Sequence, residues 1–247
     1  MPEVEKINPY GGDRRSKDRQ VQSMFDNIAP AYDMMNHLMT GFLDRYWLRC
    51  LVKEAAEVKP KRIIDLATGT GDVAFALARR LPEASVTGLD LSEGMLDKAR
   101  EKAAGTGSAR NITFVQADCL ATGLPAGRAD AITIAYGVRN FADIAAGYRE
   151  MMRILKPGGK LCVLELSAPT GKLTGAFYRL YAGKVIPAVG RMLSHDTRAY
   201  SYLPESISAV PSGGAMLSMI NDAGFVRARY RRFTFGVCTL YTAYKPL

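Results

Sequence analysis

Between Arg62 and Ser167 short apolar runs alternate with amphipathic stretches, and that rhythm predicts strands and helices in turn. The apolar runs place strands at Arg62–Thr68, Ser85–Leu91, Ile112–Asp118, Ala129–Tyr136 and Lys160–Ser167. Helical patterning falls over Asp72–Leu81, behind a capping Ser92, and over Asp143–Leu155. Lys156-Pro157-Gly158-Gly159 should end that last helix sharply before the next strand. Near the C-terminus a helix over Gly214–Ala223, capped by Gly224, precedes two strands, Phe225–Phe235 and Val237–Tyr244, which should pair as an antiparallel hairpin. The pattern is that of an α/β fold, a seven-stranded, mostly parallel, Rossmann-like sheet with a C-terminal antiparallel hairpin. Ligands of such sheets bind beyond the carboxyl ends of the strands.

Ahead of the first strand the pattern is helical. A helix over about Val21–Ile28 is ended by Pro30, and a second, about Leu43–Val58, carries Trp47, Leu48, Leu51, Val52 and Ala55 on one face before Pro60 closes it. The stretch between, Ala31 to Gly41, is rich in methionine and aromatic residues without a clean period. It reads as a lid or pocket wall, or as plain packing of a helix pair on the core. Residues 1–19 are polar and mixed in charge, which predicts a mobile arm; residues 20–247 make one domain. Within it, residues 20–58 form a helical N-terminal lid. Residues 168–210 form a helical insertion, mostly apolar over Leu173–Leu193 but carrying Arg179, Lys184 and Arg191 and broken by Pro187.

The glycines of Ile63-Ile64-Asp65-Leu66-Ala67-Thr68-Gly69-Thr70-Gly71-Asp72 sit where a strand turns into a helix. Lacking Cβ, Gly69 and Gly71 permit a sharp turn and the close approach of a ligand to a helix N-terminus. Two ligands compete for such a turn. Gly69-x-Gly71-x-x-Ala74 fits a dinucleotide fingerprint, with Asp90 at a suitable distance for a ribose. The acids Asp65, Asp72 and Asp90, however, would repel a pyrophosphate, whereas they suit a ligand carrying an ammonium and a sulfonium. S-adenosylmethionine therefore fits better. In that reading Gly69, Thr70 and Gly71 lie under its methionine end, and Asp90 accepts from the ribose hydroxyls. Asp118 at the third strand end accepts from the adenine amino group, with the backbone at Cys119 beside it. The fourth strand end, Ala135 to Phe141, is the place for the transferred methyl and its acceptor.

Composition narrows the setting. The 247 residues suffice for one sizeable domain, and no apolar run approaches the roughly 20 residues that span a bilayer. No signal peptide is visible behind Glu3, Glu5 and Lys6, so a cytoplasmic protein is expected, peripheral at most to the inner face of the cytoplasmic membrane. Cys50, Cys119, Cys162 and Cys238 fit no zinc spacing and read as free thiols, and no metal is expected. A net charge of +9 admits nucleic acid or an anionic membrane as a partner. Its clusters are Lys172, Arg179, Lys184, Arg191 and Arg198, and then Arg227, Arg229, Arg231 and Arg232, the latter alternating as on the solvated face of a strand.

Tyr32-Asp33-x-Met35-Asn36, with Gly41 and Trp47 following, resembles the first signature of the ubiquinone/menaquinone C-methyltransferase family. Arg153-Ile154-Leu155-Lys156-Pro157-Gly158-Gly159 with Glu165-Leu166-Ser167 resembles its second. Gly137-Val138-Arg139-Asn140, Tyr200-Ser201-Tyr202-Leu203-Pro204-Glu205-Ser206-Ile207 and Tyr241-Thr242-Ala243-Tyr244-Lys245 are similar to that family too, and the likeness runs from about Val21 to the end. The resemblance implies a class I S-adenosylmethionine-dependent methyltransferase that methylates a ring carbon of a polyprenylated quinol. It implies cofactor contacts at Thr70, Asp90, Asp118 and Cys119. Ala135 and Asp118 depart from the serine and asparagine common in related sequences. Demethylmenaquinol, in menaquinone biosynthesis, is the acceptor shared by bacterial members; a benzoquinol of ubiquinone biosynthesis is the alternative.

Methylating carbon requires an electron-rich ring and removal of a proton, so acid–base help serves two steps. Tyr32, Asp33, Asn36, His37, Arg139, Asn140 and His195 are the polar candidates, of which His37 and His195 read as structural or surface residues. Tyr32 and Arg139 are the expected pair around the quinol, with Asn140 beside them; Arg139 stays protonated and acts on a phenolate or on a water. Met34, Met35, Leu38, Met39 and the segment from Phe177 to Leu193 are expected to receive the prenyl tail, with the segment's basic residues on anionic lipid. A homo-oligomer is compatible with the sequence. A nucleic-acid methyltransferase, a dehydrogenase and a non-catalytic binding subunit are the rivals. Against the first, this chain has Ala135-Tyr136-Gly137-Val138 where base-amino enzymes carry Asn/Asp-Pro-Pro-aromatic, and it has no cysteine following a proline as the nucleophile of a cytosine-carbon enzyme.

Overall fold

The computed structural model describes residues 1–105, 109–169, 171, 174–175, 178, 180–181 and 197–247. Seven strands form one sheet in the order β3-β2-β1-β4-β5-β7-β6. They are β1 (Arg62–Leu66), β2 (Ser85–Asp90), β3 (Ile112–Gln116), β4 (Ala129–Ala135), β5 (Leu155–Leu166), β6 (Val226–Phe233) and β7 (Cys238–Tyr244). The first five run parallel, and β7 pairs antiparallel with both β5 and β6. The strand order reverses between β1 and β4, and open α/β sheets bind their ligands at such a crevice. The C-terminal pair is as expected, except that a turn at Thr234–Gly236 joins its strands.

Among the described residues the α-helices with defined bounds are α1 (Lys17–Ile28), α2 (Tyr32–Thr40), α3 (Leu43–Ala56), α4 (Asp72–Arg80), α5 (Glu93–Gly105), α6 (Ile144–Ile154), α7 (Thr197–Ala209) and α8 (Gly214–Asp222). The apolar face of α3 joins that of α4 in one core cluster, with Trp47, Leu51 and Leu77 fully buried. Tyr148 and Met151 of α6 and Met216 and Ile220 of α8 fill another. Asp143 caps α6 in the ordinary way, accepting from the Ala146 amide at 2.7 Å. None of the described helices is long and apolar enough to cross a membrane.

Two local expectations are corrected. Lys156-Pro157-Gly158-Gly159 does not precede a strand; it bulges out of β5, which begins at Leu155. Ala129 pairs with Leu155 and Ala131 with Lys160, so four residues face Asp130 alone. A Cβ on Gly159 would lie 2.8 Å from the Leu155 side chain and 2.9 Å from the Lys156 carbonyl. The Met-rich stretch is the helix α2, and Gly41 ends it in the left-handed conformation. Residues 1–19, expected as a mobile arm, are packed down. Val4 is fully buried in the main core, Lys17 already belongs to α1, and its ammonium donates to the Val4 carbonyl at 2.6 Å. Most of the segment from Leu173 to Leu193, with Lys172, Arg179, Lys184, Arg191 and His195, lies outside the described residues. Arg227, Arg229, Arg231 and Arg232 are exposed on β6, where charge protects a sheet edge from further pairing.

The Glu5 carboxylate accepts from the Ile144 amide at 2.8 Å and so fastens the N-terminus to the first turn of α6. Glu5→Ala is expected to lower unfolding free energy by about 1–2 kcal/mol, read as a fall in urea midpoint with unchanged slope.

Candidate active site

The glycine turn is held from both sides by acids. The Asp90 carboxylate accepts from the Gly69 amide at 2.8 Å and from the Ser92 amide at 2.9 Å, tying the end of β2 to the turn after β1. Asp65 is fully buried and accepts the hydroxyls of Thr68 and Thr133, each at 2.6 Å. It therefore braces the turn from beneath. Burial pushes the Asp65 carboxyl up to about 7 against the pull of those hydroxyls, and pushes Asp90 up to about 6 against the two amides.

Backbone conformation keeps the space above the turn clear. Gly69 and Gly71 have φ of 55° and 87°, and a Cβ on Gly71 would lie 2.9 Å from Phe75 and 3.0 Å from Phe114. Ala67 and Tyr136, at the ends of β1 and β4, have φ of 48° and 59°. Such a conformation costs of order 1 kcal/mol or more and persists where surroundings impose it. Here Gly137 packs so closely on Ala67 that an added Cβ would lie 2.7 Å from the alanine methyl.

Two small cavities flank the turn. One, of about 70 Å³, is bordered by Gly69, Asp90, Asp118, Cys119 and Asn140, and by Asp18 and Phe25 of α1. The other, of about 50 Å³, is bordered by Asp65, Gly69, Thr70 and Asp44. Asp118 accepts from the Leu120 amide at 2.8 Å and holds the loop after β3. The Thr70 hydroxyl donates to Asp33, whose other oxygen meets Lys102; Lys102 also pairs with Asp72 at 3.0 Å. These bonds latch α2 and α5 onto the glycine turn. Tyr32 borders both cavities.

Tyr32 also borders a third cavity, of about 620 Å³ and mostly apolar. Its walls include Met39, Leu43, Trp47, Leu203, Ile207 and Val237, from α2, α3, α7 and the end of the sheet. Arg139 lies at its edge, 5 % exposed, in the short turn after β4. Arg139 donates from Nη1 to Glu165 at 2.8 Å and to the Tyr136 carbonyl, and from its backbone amide to Glu165 at 3.1 Å. Its Nε and the Tyr178 hydroxyl are buried without a partner among the described residues. Tyr32 is half-buried, and the desolvation of its hydroxyl raises its pKa while the nearby Arg139 charge pulls the other way.

The structure thus brings together Tyr32, Arg139, Gly69, Thr70, Gly71, Asp90, Asp118 and Cys119 at the carboxyl end of the sheet. Asn140 borders the cavity of about 70 Å³ rather than the apolar one, and accepts from the Tyr202 hydroxyl at 3.2 Å. His37 is drawn away to Asp44, at 2.6 Å. The sequence reading missed Glu165, Asp44, Tyr178 and Tyr202 as site residues. Glu165 stood within a quoted signature, and a lone acid in an otherwise apolar strand demands a buried partner.

This sheet order, with the glycine turn and the acids at successive strand ends, defines the methyltransferase variant of the Rossmann-like fold. A methyltransferase structure from Thermotoga maritima, described as a possible histamine N-methyltransferase, shares the fold at a TM-score of 0.66 and 18% identity, over 91% of this chain and 99% of that one. The chain belongs to the ubiE/COQ5 methyltransferase family, which it matches over residues 13–245. It is 45% identical to a demethylmenaquinone methyltransferase of Bacteroides fragilis over 98% of both chains. It is 42% identical to the ubiquinone/menaquinone biosynthesis C-methyltransferase UbiE of Syntrophotalea carbinolica, over 93% of this chain and 95% of that one.

Proposed function

We propose that this chain methylates a ring carbon of a polyprenylated quinol, demethylmenaquinol in menaquinone biosynthesis, with S-adenosylmethionine as donor. The observation that carries the reading is the apolar cavity meeting the glycine-turn cleft at Tyr32 and Tyr136, with a buried guanidinium at the junction. An acceptor for this site has a greasy body and a small oxygenated head. The name of the Bacteroides fragilis relative favours the naphthoquinol head, and that of the Syntrophotalea carbinolica relative keeps the benzoquinol as second reading.

When bound, S-adenosylmethionine supplies an electrophilic methyl group on sulfur, so placement is the chain's main contribution. The cradle fits: Gly69 and Gly71 leave room over the turn, and Asp90 presents an acceptor for ribose hydroxyls. Asp118 and the Cys119 backbone would hold the adenine. Tyr32 and Arg139 hold a quinol oxygen, and the fixed positive charge of Arg139 favours the phenolate that makes the ring carbon nucleophilic.

Two outcomes are expected in methyl-transfer assays with short-chain demethylmenaquinone, with product mass as readout. The reduced acceptor is methylated and the oxidised one is not; product from benzoquinol alone would move the assignment to ubiquinone biosynthesis. Arg139→Ala lowers kcat by about 100-fold or more while cofactor Kd changes less than about threefold. Full turnover in that variant removes Arg139 from the site.

The ionised Asp90 accepts hydroxyl donors, and that form prevails above about pH 6. Affinity for S-adenosylmethionine is therefore expected to fall as pH drops from 7 to 5 in calorimetric titrations. Asp90→Asn binds about tenfold or more weakly at pH 7 and loses that pH dependence. A wild-type affinity that stays flat across this range contradicts the ribose role.

Peripheral contact with a membrane belongs to the same proposal. Phe42, Leu43, Tyr46 and Phe235 are exposed, and Leu43 and Phe235 border the apolar cavity. Arg45 stacks over Phe42, and Arg231 and Arg232 over Phe233 and Tyr230. Apolar side chains ringed by arginine suit an anionic lipid surface. Co-sedimentation with anionic vesicles is expected and should weaken as salt rises; equal binding to neutral vesicles, or none, argues against it.

A further inference from the structure

Aromatic methylation leaves a proton over, and this site needs somewhere to put it. The ring carbon gains the methyl group as the sulfur–carbon bond breaks, with that electron pair staying on sulfur. The carbon's own C–H bond then breaks, its electrons return to the ring, and one proton departs. The apolar cavity has two charged side chains among its described lining residues, Arg139 and Asp44. Arg139 cannot accept a proton. Its partner Glu165 is committed to the ion pair and to the Leu166 amide at 2.9 Å. Asp44 is the carboxylate that remains.

Asp44 is 3 % exposed, in the first turn of α3. It borders both the apolar cavity and the small cavity under Gly69 and Thr70, so it stands where acceptor and donor meet. One of its oxygens accepts from the Thr40 hydroxyl at 2.8 Å, and the other lies 2.6 Å from His37 Nδ1. The His37 ring stacks on Phe42 and borders a separate outer groove of about 580 Å³, lined also by Arg45, Arg49, Asp72, Arg79 and Lys102. Carboxylate and imidazole thus form a continuous path from a greasy interior to an open, polar groove.

We propose that Asp44 accepts the proton released by ring methylation and that His37 relays it to the outer groove. Asp44 takes it on an oxygen facing the cavity, directly or across one water. In the resting site the neutral His37 ring donates its Nδ1–H to the ionised Asp44; once Asp44 holds the new proton the ring turns over, takes that proton on its bare Nε2 and gives its Nδ1 proton up to the groove. The same bonds also clamp α2 to α3, and a clamp alone predicts different behaviour on substitution. The proposal rests on the quinol reading above, so wild-type turnover on demethylmenaquinol is measured alongside.

The test compares Asp44→Asn and His37→Ala with wild type by kcat against pH, by S-adenosylmethionine Kd from calorimetry, and by thermal midpoint. Asp44→Asn keeps the shape and is expected to lose about 100-fold in kcat, with Kd within twofold. His37→Ala is expected to lose about tenfold and to recover most of it with added imidazole, which the vacated groove admits; the acidic limb of its pH profile moves with the added base. Free enzyme supplies an activity-independent reading: the Nδ1 proton of His37, hydrogen-bonded to the Asp44 carboxylate, moves upfield in NMR spectra of Asp44→Asn. Near-normal kcat in a folded Asp44→Asn overturns the proposal and leaves the quinol reading standing. So does a slow, folded His37→Ala that imidazole does not rescue, which identifies a clamp. If Asp44→Asn fails to fold, the imidazole rescue decides alone. Inactivity of wild type on every quinol removes the quinol reading, and the proposal falls with it.

Discussion

A buried ion pair, Arg139 with Glu165, is the constraint on which the catalytic end of this sheet depends. Taking both charges out of water costs several kcal/mol each, and their attraction offsets that only when the remaining hydrogen-bonding sites are met. Here they largely are. Glu165 also receives the amides of Arg139 and Leu166, and Arg139 also reaches the Tyr136 carbonyl. The turn after β4 is thereby pinned to the end of β5, and the positive φ of Tyr136 is held against its strain. Removing either partner would strand the other's charge in the interior.

The glycine turn depends on a parallel device. Asp90 joins β2 to the turn after β1, and Asp65 joins β1 to β4 through Thr133. Each acid spends its backbone or hydroxyl bonds on neighbouring strand ends, so the cleft is rigid where a donor must be aligned. Rigidity there contrasts with the apolar cavity beside it, whose walls include methionine and long aliphatic side chains suited to a tail of variable shape.

Much of this was legible in the sequence because strand and helix periods differ and because acids at successive strand ends leave a pattern. The sheet, its antiparallel closing pair and the cluster at Gly69, Asp90 and Asp118 followed from that alone. The rest was hidden by geometry that a linear reading undervalues. Val4 and Glu5 are too short a segment to show a period, yet they dock on α6. Asp44 stands three residues before Trp47 and seven before Leu51, on the apolar stripe of α3, so its burial was written in the helical period. Its polarity disguised it as a surface residue. Glu165 was hidden similarly in β5, where both faces are covered and alternation gives no cue.

The helix α2 has one further consequence. Tyr32, in its first turn, is a wall of both the donor cleft and the acceptor cavity, and Asp33 beside it is latched to Thr70. One rigid body therefore serves two ligands. Whatever free energy one ligand gains or loses by moving this helix must appear, with the same sign and size, in the affinity for the other. In the proposed function, donor and acceptor occupancy are therefore linked quantities, each ligand setting part of the affinity for the other.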